Sequence, residues 1–254
     1  MGCWRPAIAA TLVVGLAVSC GGSPSAPGAP AGESPTEKLA TAHFRILADR
    51  ADAATLRAIA DSLEAAYPRM TAALRSGEVT GVSAWVWTDS AAFHEAQRRN
   101  IGQSYPGTTG YVFPSRNIAL LVVPAVASNA THEFAHLVSL AVNPRISNNP
   151  RWLWETVALY ENGEFVAPMT LDYIRAGRYP TLAQLNAEIT SNHQVYEVGY
   201  VLGEFIVETW GPDGLIRLVQ LSGDVAVAYG VSVEEFEARW YGFLRAKYGT
   251  PQGA

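Results

Sequence analysis

Hydrophobic and polar positions fall into two regimes along the chain. In the first, "HFRILA" (43–48) alternates as a half-buried strand does, and "ADAATLRAIADSLEAAYPRMTAAL" (51–74) returns an apolar residue every three or four positions, as an amphipathic helix does. "VSAWVWTD" (82–89) is a second strand, rich in β-branched and aromatic residues, and a short helix follows near 90–99. "GYVFPSR" (110–116) and "NIALLVV" (117–123) read as a hairpin or strand pair. From Ser128 onward the pattern turns helical, with segments at 128–143, 152–161, roughly 182–188, 195–210, 212–222 and 232–248. No repeat is visible. A sheet-forming stretch followed by a helical one, with no composition break between them, predicts an α+β unit: a small mixed β-sheet with helices, then a mainly helical C-terminal lobe, with a cleft between the two.

The amino terminus follows neither pattern. Residues 1–20, "MGCWRPAIAATLVVGLAVSC", place Arg5 ahead of an apolar run from Ala7 to Val18 that ends in small residues, the layout of an export signal. The run is shorter than the roughly 20 residues a membrane-spanning helix needs, so it reads as a removable signal peptide over residues 1–19. "LAVSCGGS" resembles the lipobox of bacterial lipoproteins, with Ala17 where leucine is usual, which implies that Cys20 is lipidated. Residues 21–36, "GGSPSAPGAPAGESPT", cannot bury apolar surface and read as a flexible tether between that cysteine and a folded domain over 37–254. The expected location is the bacterial cell envelope, lipid-anchored on the extracytoplasmic side of a membrane, or otherwise secreted.

Composition narrows the chemistry. Of 254 residues 49% are hydrophobic, enough for a sizeable core, and 18 basic against 23 acidic residues leave a net charge of −5. With no Lys/Arg block to track a phosphate backbone, nucleic acid is not an expected partner. Cys3 and Cys20 are the only cysteines, so the domain has no disulfide pair, and a metal would have to be held by histidine and carboxylate.

Such a set is present. In "SNATHEFAHLVSLAVN" (128–143), His132 and His136 lie four apart, one helical turn, on one face, with Glu133 beside them. This is the H-E-x-x-H arrangement, in which two imidazoles grip one zinc ion and the glutamate serves as general base toward water. Hydrolytic zinc sites take a third protein ligand and leave one position open. "RWLWETVALYENG" (151–163) offers Glu155, a carboxylate amid apolar residues, where it is costly unless paired or bound to metal.

These residues resemble the gluzincin metallopeptidases, the peptidase MA-like and aminopeptidase N-like group above all. Eighteen residues separate His136 from Glu155, and "WLWETVALY" is similar to that group's W-L-x-E-G-x-A helix, with Thr156 in place of glycine. "VYEVGYVLGEFIVETWG" (195–211) looks like its Y-E-x-G helix, whose tyrosine hydrogen-bonds the developing oxyanion, and Tyr196 occupies that position. The resemblance covers roughly residues 105–222 in three short pieces. It implies a zincin (thermolysin-like) fold, one Zn2+ per chain on His132, His136 and Glu155, Glu133 and Tyr196 as catalytic residues, and a peptide or protein substrate. The aminopeptidases' G-x-M-E-N strand has no acidic counterpart in "TTGYVFPSRNIALL" (108–121), which favours an endopeptidase whose edge strand pairs with extended substrate.

Other residues take lesser expectations. Tyr200 is the reserve for Tyr196, and His193 could face the cleft and assist the oxyanion. Glu161 and Glu197 could orient the ligand histidines from behind, although solvated helix ends are the favoured account of both. His43 and His94 read as solvated surface groups, and the tryptophans of 85–87 and 152–154 as core. The rival functions are a zincin-fold envelope scaffold without turnover, favoured by Thr156 and the missing acidic residue, and a structural lipoprotein without metal.

Overall fold

Strand alternation builds a mixed sheet in the computed structural model, which describes residues 34–187 and 193–249. The expected signal peptide (1–19), the expected lipidation site Cys20 and residues 21–33 of the expected tether lie outside the described residues. The sheet comprises β1 (Thr36–Ala40), β2 (Phe44–Ala48), β3 (Val82–Trp87), β4 (Gly110–Phe113) and β5 (Asn117–Leu121), in the order β1-β2-β3-β5-β4. β2, β3 and β5 run parallel, while β1 and β4 lie antiparallel at the two edges. The strand pair expected at 110–123 is therefore the antiparallel ladder β4/β5. β1 was not expected: its pattern, "TEKLA", is almost wholly exposed, and it starts at Thr36, a residue read as tether.

Alternation decides which helix covers which face. Phe44, Ile46, Val82, Ala84, Ile118 and Leu120 form one core with α1 (Ala53–Ala73) and α3 (Val126–Val142). On the other face Trp87, Tyr111, Ala119 and Leu121 pack against Phe93 and Ala96 of α2 (Ser90–Ile101). Asp52 and Asp89 cap α1 and α2 by accepting hydrogen bonds from the Thr55 and Ala92 backbone N–H groups at 2.9 and 2.7 Å.

The second half is helical, as the periodicity predicts: α4 (Arg151–Asn162), short turns α5 (Asp172–Arg175) and α6 (Leu182–Leu185), α7 (Gln194–Gln220), α8 (Val225–Tyr229) and α9 (Val233–Tyr248). Ten of the twelve residues of α4 are buried, the mark of a central helix; it packs between α3 and α7. The two helices expected at 195–210 and 212–222 are the halves of α7, divided at Gly211, whose φ of 74° and ψ of 171° break the helix before Pro212 restarts it. Among the described residues no helix is long and apolar enough to cross a membrane.

Candidate metal centre

α3 and α4 bring the three expected ligands together. Both helices are buried, and both present polar side chains where they meet: His132 and His136 one turn apart on α3, Glu155 opposite on α4. Glu155 Oε2 lies 3.4 Å from His132 Nε2 and 3.8 Å from His136 Nε2, and one ligand atom from each residue falls within 4.8 Å of the others. Donors about 2.0–2.2 Å from a tetrahedral ion stand roughly 3.3–3.6 Å apart; the Glu155–His132 separation matches this and the Glu155–His136 separation is slightly wider, so the group is a candidate site for a zinc-sized cation. A second observation agrees: Glu155 Oε2 is buried and meets His132 and His136 only at 3.4 and 3.8 Å, longer than good hydrogen bonds, a loose pairing that coordination would tighten.

The two imidazoles are held differently. His132 Nδ1 lies 2.8 Å from Glu164 Oε1, and Asn162 Nδ2 donates to the same oxygen at 2.6 Å while its Oδ1 accepts from the Thr131 hydroxyl. This aims Nε2 of His132 at Glu155. His136 has no such acceptor, and its Nδ1 is buried without a partner among the described residues. Instead its ring lies flat on the Trp154 indole, with centroids 4.0 Å apart and planes 2° from parallel.

Charge follows from this layout. Burial opposes the His132 imidazolium, but the Glu155 and Glu164 carboxylates on either side of the ring outweigh it and hold the pKa well above the usual histidine range. Burial and the neighbouring His132 charge push His136 well below it. Burial also drives Glu133 up to about 8; Glu155 and Glu164 push the same way, against the pull of His132. A cation binding here would displace the His132 proton, so uptake should release acid.

Glu133 and Tyr196 face the space in front of the ligands. Two adjoining cavities, of about 570 and 490 Å³, share Thr108, Gly110, His132, Glu133 and Tyr196 in their walls. Tyr196, on the first turn of α7, donates its hydroxyl hydrogen to Glu155 Oε1 at 3.2 Å, and burial with the Glu155 charge keeps the phenol protonated. β4 comes so close that a Cβ on Gly110 would lie 2.5 Å from Glu133 Oε1. No family model and no curated protein matches this sequence.

Glu161, Glu197 and Tyr200 lie away from the two histidines, while His193 stands in the cavity wall. Glu161 is buried but reaches neither histidine; its carboxylate lies 3.7 Å from Arg69. Glu197 accepts from the Tyr173 hydroxyl at 2.8 Å. The carboxylate behind His132 is Glu164, because α4 ends at Gly163 in a left-handed turn (φ 74°) that folds the next residue back toward α3. Tyr200 packs against Tyr160 and Phe165 and lines neither cavity, whereas His193 is exposed at the rim of the larger one. His43 is half-buried, its Nδ1 2.6 Å from Glu64 and its ring stacked on Tyr67, and half-buried His94 faces Gln97. Trp152 and Trp154 are core, as expected, and Trp154 doubles as the shelf for His136.

Sequence reasoning also passed over Arg151. It is buried at the start of α4, where its backbone N–H donates to Asn186 Oδ1 and its Nη1 to the Ala187 carbonyl, each at 2.7 Å. Its guanidinium lies 5.3 Å from the Tyr196 ring centroid and steadies that ring from below. Thr156, where the resembling helix has glycine, is fully buried, and the small residue at this contact comes from α7 instead. A Cβ on Gly199 would lie 3.5 Å from Thr156 Cα and 2.5 Å from Leu159 Cδ1.

Proposed function

We propose that this chain is a zinc-dependent endopeptidase of the gluzincin kind, exported and lipid-anchored through Cys20. The observation that carries the reading is that His132, His136 and Glu155 bring one ligand atom each within 4.8 Å of the others in a buried setting, with Glu133 and Tyr196 facing the same cavity. The five-stranded mixed sheet followed by helices is consistent with a zincin fold.

His132, His136 and Glu155 would hold the ion. Zinc, when bound, supplies a Lewis acid that polarises a peptide carbonyl and lowers the pKa of water to about 7. Glu133 takes the proton of the attacking water on its carboxylate and hands it to the leaving amine nitrogen, so no covalent acyl-protein forms. Tyr196 donates its hydroxyl hydrogen to the carbonyl oxygen as negative charge develops there. Glu164 keeps His132 in register, and burial of Glu133 beside Gly110 restricts the base to few positions. The edge of β4, which has no strand beyond it among the described residues, offers backbone groups to an extended substrate. The shared walls extend the cleft past the ligands in both directions, which suits cleavage within a chain.

The test is cleavage of a mixed peptide library by the zinc-loaded protein beside Glu133→Gln. The reading expects internal cleavage by the wild type and a loss of about 10²–10⁴-fold in the variant, the usual worth of a general base. Equal cleavage by both would refute the mechanism. A folded, zinc-loaded wild type that cuts nothing would leave the envelope-scaffold reading in its place.

A further inference from the structure

β4 continues beyond the site with a pronounced change of character. Gly110 and Val112 point toward α3 and Tyr111 and Phe113 toward α2, because side chains alternate along a strand. Past the ligands, β4 runs along a cavity of about 350 Å³ walled by Ile101 at the end of α2 and by Leu137, Leu140 and Ala141 of α3, with Val112 and Phe113 between; Ser147 and the turn Pro114, Ser115 and Arg116 also line it, the Arg116 guanidinium donating to the Thr80 carbonyl at 2.7 Å. Ile101, Val112 and Ser147 belong both to this trough and to the site cavity, so the two are continuous. In the opposite direction the cleft is polar, lined by Thr108, Thr109, Asn129, Glu164 and His193. Ile101 is 37% exposed although large and apolar, a cost that a covering ligand would remove.

We infer that this trough is a binding site for apolar side chains of an extended peptide that pairs with the edge of β4, and that it confers an apolar preference on one side of the scissile bond only. This rests on the peptidase reading. A bound strand places alternate side chains toward α2 and toward α3, and both walls are apolar there. From His136 to Leu140 is one helical turn, about 6 Å, or roughly two residues of a strand, so the preference falls two to three residues from the cleaved bond.

The test pairs binding with cleavage. Dye-labelled extended peptides, leucine- or phenylalanine-bearing against aspartate-bearing at single positions, are titrated by anisotropy into zinc-loaded Glu133→Gln protein, and the same sequences are offered to the zinc-loaded wild type. The expected result is at least about tenfold tighter binding and faster cleavage for apolar residues at one or two positions on one side. Ile101→Glu and Ala141→Glu, both at exposed positions and so tolerable to the fold, should abolish that preference while leaving zinc content unchanged. Peptides bound and cut with no preference on either side, or a preference untouched by both variants, would overturn the inference and leave the peptidase reading intact. Absence of both binding and cleavage would overturn the two together. A wild type that sediments as a dimer and becomes monomeric in Ile101→Glu would assign the trough to a second copy of the chain and also overturn it.

Discussion

His132 and His136 carry the same side chain to the same point by different means, and the difference is testable. Glu164 fixes the tautomer and direction of His132, so Glu164→Ala should weaken zinc binding about 10–100-fold, measured by competition with a chromogenic chelator, while the fold persists. Tyr196→Phe removes a donor without removing the ring; turnover should fall on the order of 10²-fold with zinc affinity little changed. A parallel loss of zinc would place the phenol's role in holding Glu155 rather than in the reaction. At this scale the sequence was legible wherever chemistry and periodicity coincide: a histidine pair at one-turn spacing and a carboxylate stranded in an apolar helix. Glu164 was not legible. It lies one residue past a helix end, and only the left-handed turn at Gly163 returns it to His132, thirty-two positions away. Trp154 was hidden for the opposite reason, since a core tryptophan and a shelf for an imidazole look alike in a sequence.

Between elements, what matters is how closely backbones approach. β4 lies so near α3 that Gly110 has no room for a side chain against Glu133. Gly110→Ala should therefore displace the Glu133 carboxylate and lower turnover on the order of 10²-fold, the cost of moving a catalytic group about 1 Å, while zinc content stays at the wild-type value. Unchanged kinetics would mean that Glu133 has room to retreat. The contact of α4 with α7 uses Gly199 and Gly203 in the same way, against Leu159 and Tyr160, and so brings Tyr196 over Glu155. Helices α1, α3, α4, α7 and α9 were readable because each carries an apolar stripe or run long enough to show a period. β1 was not, because an exposed edge strand is held by its ladder to β2 and needs no hydrophobic pattern. Antiparallel β4 could be read as half of a strand pair, but its place at the sheet edge beside Glu133 follows from the sheet order, which is set by long-range pairing.

Over the whole molecule, buried charge links stability to pH and to metal. Glu161 is buried beside Arg69; burial lifts its pKa to about 7, against the opposing pull of the guanidinium. A carboxyl that holds its proton more tightly folded than unfolded stabilises the fold below its ordinary pKa near 4.5, and that contribution is lost as the pH rises through about 7. Wild-type stability should thus decline between those limits by roughly 1–3 kcal/mol relative to Glu161→Gln, read from urea midpoints at pH 5 and pH 8. Parallel curves for the two proteins would contradict this. Removal of zinc should return a proton to His132, the counter-charge of Glu155 and Glu164 in the metal-free protein, and ion at a thousand times its dissociation constant should add about 4 kcal/mol of stability. The central claim, that α3 and α4 close on a metal ion, is tested most directly by elemental analysis of the purified protein beside a His132→Ala, Glu155→Ala double variant after dialysis against metal-free buffer. The account predicts one zinc per wild-type chain and none in the folded variant. A well-folded wild type that holds no zinc and takes up none when it is added would contradict it.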